Sequence, residues 1–314
     1  MKVGWVLCLV TALSSCASFE FERDEDAGTI TIREGDEPVL TYRYGDQLPE
    51  GVPESRKRSS YIHPIYGLDG TVLTEDFPKD HLHHRGLSLM WPVMTVDGKP
   101  CELWHIRGIR SIFDRVLEQH ADADGATLRV RNHWTMSDQR KVAEETWTLR
   151  VHPRTGGEGN GARAIDVHIE ILTRDVPITL QGEGQKGYGG LALRLQFKNR
   201  RKNTSITTDA GIQKGDRNHA RFAWADFSAD FEGSKGPSGI AIFVGKTHPG
   251  YPTPWSLRYY GDLNVAWPGV QKLMLEPKSR LQLDYRIYVH QGVASAASLA
   301  SACANWQADP SSTK

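Results

Sequence analysis

The sequence predicts an all-β protein, a single-domain antiparallel β-sandwich, and three observations carry that expectation. Short runs rich in β-branched and aromatic residues recur almost from end to end of the 314 residues, most of them alternating apolar with polar side chains. Period two turns one strand face to a core and the other to solvent or a cleft, which is the habit of antiparallel sheets. Gly, Asp, Asn and Pro clusters separate these runs as hairpin and loop connections would. Only residues 294–304 carry the spacing of an amphipathic helix. Sandwiches of this length commonly form one domain, and no internal repeat of 20–50 residues is visible.

The elements follow in chain order. Lys2 precedes an apolar run over residues 3–13. That is shorter than the about 20 residues of a membrane-spanning helix, so residues 1–15 read as a signal peptide. Its end, Leu13-Ser-Ser-Cys16, resembles the lipobox of bacterial lipoproteins, which implies cleavage before Cys16 and lipidation there. The alternative is an ordinary secretory signal with a cysteine by chance. On the lipoprotein reading the protein is exported, anchored in the bacterial cell envelope facing the periplasm, and meets the membrane only through Cys16. Residues 16–27 are then a lipidated tether, 28–292 the sandwich domain, and 293–314 a short helix with a flexible tail from Gln307.

Strand-like runs cover residues 29–33, 126–134, 144–151, 164–172 and 281–289. The glycine-rich stretch 155–161 reads as a hairpin connection. The second such stretch, 181–190, sets Glu183, Lys186 and Tyr188 among glycines that let a backbone approach a ligand closely. Neither opens a helix after a strand, which argues against a phosphate-cradling loop. Lys plus Arg equal Asp plus Glu at 38 each, so no global field gathers nucleic acid, and a neutral or lightly charged small molecule fits better. Of four cysteines, Cys101 and Cys303 remain after the leader and Cys16. They can form one bridge in an oxidising compartment, and the sequence does not decide it.

The densest chemistry is Asp76-Phe-Pro-Lys-Asp80-His81-Leu-His83-His84-Arg85-Gly86. Imidazole is the side chain most easily tuned to exchange a proton near neutral pH and the commonest neutral metal ligand. On a strand, His81 and His83 would share one face and His84 the other. In a metal-free reading one histidine is general acid or base and Arg85 clamps an oxyanion or hydroxyl. In a divalent-metal reading His81 and His83 chelate with a third ligand from His63, Asp80 or Glu183. The metal-free reading is preferred, because no cupin-like glutamate follows the His-x-His pair. Plainer roles compete: His84 facing the core, Asp80 capping the turn after Pro78, Arg85 pairing with Asp76, and His63 serving the turn before Pro64.

Four segments carry a family resemblance: Ser60-Tyr-Ile-His-Pro-Ile-Tyr-Gly-Leu-Asp-Gly70, the Asp76–Leu87 segment, Gly187-Tyr-Gly-Gly-Leu191, and His248-Pro-Gly-Tyr-Pro-Thr-Pro-Trp255. Together they resemble a bacterial PmoA-like family, labelled "methane oxygenase" but of unassigned function, over roughly residues 30–289. The closing pattern over residues 273–290 is similar to the last strands of the galactose-mutarotase-like supersandwich. That resemblance implies a supersandwich fold and a carbohydrate substrate. Its histidine acid and glutamate base have no residue-by-residue match here.

Tryptophans stack on sugar rings as well as they fill cores. Trp134 and Trp147 lie in strands and read as core. Trp91 follows the histidine cluster and Trp255 lies in the proline-rich loop with His248, so both are ligand candidates. The expected site therefore has His81, His83, Arg85 and Glu183 as catalytic residues. His63, Asp80, His84, Trp91, Lys186, Tyr188, His248 and Trp255 bind substrate. The preferred function is acid/base chemistry on a sugar, as an epimerase, lyase or hydrolase, without a cofactor. A non-catalytic glycan-binding lipoprotein and a metal-dependent oxidative enzyme are the alternatives.

Overall fold

The computed structural model describes residues 18–157, 159–196 and 203–309. The expected signal peptide, the lipidation site Cys16 and tail residues 310–314 lie outside them. Among the described residues the strands form three sheets. The first runs, in spatial order, Phe19–Asp24, Thr29–Glu34, Glu37–Arg43, Tyr61–Ile65, Leu87–Met90, Gly190–Arg194, Asp262–Ala266, Thr253–Arg258 and Arg217–Phe222. The second runs Gly211–Ile212, Ser205–Thr208, Trp224–Ala229, Ser238–Val244, Arg280–Gln291, Ala162–Thr173, Lys141–Val151, Gly125–Met136 and Ile109–Asp122. A four-stranded sheet orders Leu273–Leu275, Ile178–Gln181, Val93–Val96 and Lys99–Cys101. The pairings are antiparallel, as the period-two patterns require.

Alternation explains the packing. Along Ala162–Thr173, Ile165, Val167, Ile169 and Ile171 are at most 1% exposed, while Asp166, His168 and Glu170 face the other way, half-buried. Each fully buried aliphatic side chain contributes about 1.5–3 kcal/mol. One continuous core takes Ile30, Ile32 and Trp255 from the first sheet, Leu128, Trp134 and Trp147 from the second, and Val96 and Leu180 from the small one. The all-β sandwich expected from the sequence is what the chain adopts. Trp134 and Trp147 do fill the core, and both donate their indole N–H to the buried Glu145 carboxylate, at 2.7 and 2.9 Å. Ser111 and Asn132 donate to Glu145 as well, and Asn132 accepts from Tyr42 of the opposite sheet. Four donors make a buried carboxylate tolerable, and the last bond ties the two layers together.

Two boundaries differ from expectation. Phe19–Asp24, expected within a tether, is the edge strand of the first sheet and pairs with Thr29–Glu34 across a turn. Its Phe19 is 4% exposed, and that anchor in the core is the physical reason. The helix spans Ala296–Ala308 and so includes Gln307, expected in the tail. Leu299, Cys303 and Trp306, spaced i, i+4, i+7, bury one stripe against Trp224 and Phe243, and Gln307 donates to the Val244 carbonyl. Cys101 and Cys303 are free, buried in separate clusters. Among the described residues no helix is long and apolar enough to cross a membrane.

Candidate active site

The histidine run is a loop, not a strand, and this changes which imidazoles meet. The backbone turns twice, His81 N–H to the Pro78 carbonyl at 2.9 Å and His84 N–H to the His81 carbonyl at 2.8 Å. His81, His83 and His84 therefore face one cleft together instead of splitting across two faces. Ring centroids lie 5.7 Å apart for His81 and His83, 4.6 Å for His83 and His84, and 5.0 Å for His81 and His84. Gly86 ends the loop because a Cβ there would sit 2.3 Å from the Ile62 carbonyl oxygen.

Arg85 holds this loop from beneath and does not reach the cleft. Its guanidinium is fully buried and donates to the carbonyls of Leu82, His84 and Arg56 at 2.8, 2.7 and 2.6 Å. It lies 3.3 Å over the Phe77 ring and 3.6 Å from Asp76. The expected anion clamp is thus a positioning residue, committed to backbone carbonyls its planar fork can span. A second buried cation, Arg194, works from the neighbouring strand. It donates to Glu75 at 3.0 Å and to both Asp80 oxygens at 3.0 and 3.2 Å, and lies 4.9 Å under the Tyr260 ring. Asp80 in turn stands 3.0 Å from His81 Nδ1, out of line for a hydrogen bond, and His81 stacks on Tyr260.

The cleft, of about 160 Å³, is lined by His81, His83, His84, Trp104, His105, Lys186, Tyr188, Ser256, Arg258, Tyr260 and Asp262. Lys186 and Tyr188 arrive on the 181–190 loop as expected. Glu183 is not a lining residue: its carboxylate accepts the N–H groups of Gln185 and Lys186 and so shapes that loop. Asn264 fixes the loop's far end by accepting from Gly189 N–H.

Other expected residues lie elsewhere. Trp91 and Trp255 are fully buried, donating to the Trp267 and Phe222 carbonyls, so both are core. His248 is buried too, bonded to the Tyr285 hydroxyl and accepting from Gly250 N–H. His63 binds the Thr74 hydroxyl through Nδ1 and lies outside the cleft lining, which removes it from the expected ligand set. Among the described residues no group of three or more His, Cys, Asp or Glu side chains is arranged to hold a metal ion.

Two histidine–carboxylate pairs give the cleft its chemistry. His105 Nδ1 lies 2.9 Å from Glu102 Oε2, and Arg107 pairs with the same carboxylate at 3.1 Å. Because a carboxylate only accepts there, Nδ1 carries a proton, and in the neutral imidazole this leaves the Nε2 lone pair free. His84 Nδ1 lies 3.6 Å from Asp262 Oδ1, both side chains are at most 4% exposed, and neither atom has a hydrogen-bond partner. Burial pushes the Asp262 carboxyl up to about 7, against the pull of Arg194 and Arg258. Burial holds His84 well below its ordinary range, with His83 adding to the effect. Burial likewise takes His83 down to about 3, helped by His105 and His81. Near neutral pH the second pair is therefore an uncharged imidazole beside a carboxyl poised between its two forms.

The sequence reading missed Trp104, His105, Ser256, Arg258, Tyr260 and Asp262. A signal existed for four of them: in Ser256-Leu-Arg258-Tyr-Tyr260-Gly-Asp262 every second residue is polar, the pattern of a strand and turn presenting one polar face. Glu102 and His105 carry no comparable signal, since a turn brings them together.

A larger cleft, about 350 Å³, opens on the second sheet beside Arg150, His152, Asp166, His168, Asp284 and Arg286. There Asp166 is held by Arg286 and His152, and Asp284 by His168 and Thr247. None of its lining side chains has an orphaned buried polar atom, whereas His81, His84 and Asp262 of the histidine cleft each do. Unsatisfied buried groups are what a functional site retains, so size is the weaker guide.

No curated protein matches the sequence. Solved structures to which the chain is similar include a family 36 α-galactosidase from Geobacillus stearothermophilus in complex with raffinose, at 9% identity and TM-score 0.33, covering 87% of this chain and 41% of that one. A polysaccharide lyase is similar at 11% identity and TM-score 0.26, covering 90% of this chain and 34% of that one. The chain thus spans less than half the length of either. A family model described as a family of unknown function, DUF6807, matches residues 29–304, and the protein belongs to that family.

Proposed function

We propose that the histidine cleft carries out acid/base chemistry on a sugar or modified sugar. The observation that carries this reading is the contrast between the two histidine–carboxylate pairs of one cleft. His105, oriented by Glu102, presents an unprotonated Nε2 as base. His84, with Nδ1 turned to Asp262, keeps Nε2 for the cleft, and a protonated Asp262 supplies the relay behind it. Environments that separate the protonation states of neighbouring groups are how acid and base roles are assigned at one pH. The long 3.6 Å gap between His84 and Asp262 is of the kind that closes when substrate arrives.

Carbohydrate is supported by the walls. Tyr188, half-buried and 4.7 Å from the buried Trp104, offers an aromatic ring for the apolar face of a sugar. Ser256, Tyr260, Lys186 and the imidazoles ring it with hydroxyl partners. The volume suits one ring, being below the about 300–1,000 Å³ of drug-sized pockets.

The test is a thermal-shift screen of mono- and disaccharides, neutral, acidic and keto, followed by turnover assays on those that bind. A saturating sugar should raise the midpoint by several degrees. His105→Ala should lower kcat by about 10²–10⁴-fold with KM changed little. Unchanged kcat in that variant overturns the assignment. Binding without any turnover replaces the enzyme by a glycan-binding protein.

A further inference from the structure

The cleft's fixed charge has a sign, and it is positive. Lys186 and Arg258 both line it. Arg258 is 8% exposed, and its recorded hydrogen bonds go to neutral acceptors: the carbonyls of Arg217 and Leu257 from Nη1, and Asn218 Oδ1 from Nη2 at 2.6 Å. Its Nε–H has no acceptor among the described residues, and Nη2 keeps a second N–H beside the one given to Asn218. Lys186 likewise has no carboxylate partner among those residues. Arg194, behind Tyr260, is spent on Glu75 and Asp80. Asp262, which stands beside His84, shares the cleft lining with them, and Glu183 accepts the backbone N–H of Lys186. A guanidinium that lines the cleft and keeps N–H donors free of protein acceptors is matched by a planar, bidentate anion.

We propose that the substrate is a sugar acid whose carboxylate is gripped by Arg258, with Lys186 as the second positive contact; this rests on the acid/base reading above. The grip also serves the chemistry. Beside a carboxylate neutralised by Arg258, the C–H bond α to it can break: the proton goes to His105 Nε2 and the electron pair moves into the carboxylate as an enediolate, which the cations stabilise. Reprotonation of that carbon by His84 gives the epimer. Alternatively the electron pair returns to expel the β-oxygen substituent, the C–O bond breaking as His84 protonates it, and leaves an unsaturated acid. Both outcomes balance without an oxidant or a metal.

The experiment measures affinity of the full chain for D-glucuronate and D-galacturonate, the parent hexoses and the hexose 6-phosphates, by calorimetry, and then follows deuterium uptake at C5 in heavy water. At least one uronate should bind at least tenfold tighter than its parent hexose and its phosphate. Arg258→Gln should weaken that uronate by about ten- to hundredfold, the range of a charge-assisted hydrogen bond, and the parent hexose far less. Lys186→Gln, on an exposed loop and safe for folding, should weaken it several-fold. Hexoses binding as tightly as uronates, phosphates binding tighter, or Arg258→Gln weakening all ligands equally overturns the substrate class, whatever becomes of the acid/base reading. Selective uronate binding with no exchange and no unsaturated product upholds the substrate class and removes the acid/base reading.

Discussion

Replacing Asp262 by Asn should stabilise the protein at alkaline pH and do almost nothing at acid pH. The carboxyl is buried and titrates near 7 in the folded protein against an ordinary value of 3.8. In the unfolded chain it has lost its proton by pH 5, while in the folded protein it keeps it until about 7. The folded state therefore binds more protons across that window, and stability falls as pH rises through it. At about 1.4 kcal/mol per pH unit, the full effect is on the order of 4 kcal/mol above pH 7 and vanishes below pH 4. His63, His83 and His248, each held near 3, act oppositely. They stay neutral in the folded protein while the unfolded chain takes up protons below about 6.5, so their contribution is lost as pH falls. The whole-protein curve mixes both slopes, and only the difference between wild type and Asp262→Asn isolates this carboxyl. Urea unfolding followed by tryptophan fluorescence from pH 4 to 8 gives that difference directly. The variant should gain on the wild type from about pH 4 to about pH 7 and level off above it. A constant difference, or a variant that loses ground as pH rises, refutes the reasoning and makes Asp262 an ordinary stabilising partner of Arg194 and Arg258.

Three further outcomes follow from named contacts. Arg85→Met should cost about 3–5 kcal/mol in urea unfolding, since it removes a charged donor from three carbonyls and leaves Asp76 buried without its cation; an unchanged midpoint returns Arg85 to the ligand. Glu183→Ala should weaken ligand binding several-fold while shifting stability by no more than about 1 kcal/mol, because it frees two loop N–H groups near the surface; unaltered affinity in calorimetry refutes that role. Cys16→Ala should abolish incorporation of labelled fatty acid and release the protein from the membrane fraction, and persistent labelling removes the lipoprotein reading.

Period two was enough to read the sandwich, because alternation is a local property and survives any topology. The order of strands within the sheets was not legible: Leu87–Met90 lies beside Gly190–Arg194, and that strand beside Asp262–Ala266, pairings set by packing over long separations. The site was half legible. His81, His83, His84, Lys186 and Tyr188 do meet in one cleft, because two short segments dense in functional groups carried their own signal. Trp91, Trp255 and His248 misled because burial, which decides between core and cleft, is not written in residue type. His105 and Asp262 were invisible singly, each gaining meaning only from a partner carboxylate or imidazole beside it.

The arginine of the histidine motif shows why motif chemistry and site chemistry can diverge. Arg85 is the most conspicuous cation of the run, yet its donors go to the Leu82, His84 and Arg56 carbonyls, of which among the described residues only that of His84 has another backbone donor, the Phe77 N–H at 3.3 Å. Arg194 does the corresponding task for Asp80 and, through it, His81. Two buried guanidinium groups thus fix the imidazoles from two elements, and precision in such supporting groups is what lets a side chain act on a reacting atom. The cation that remains for ligand, Arg258, comes from a strand about 170 positions away in the chain, bonded only to neutral acceptors among the described residues. A guanidinium already surrounded by carbonyls builds a loop, whereas one with an open edge beside neutral imidazoles recognises an anion, and that distinction is made by the fold.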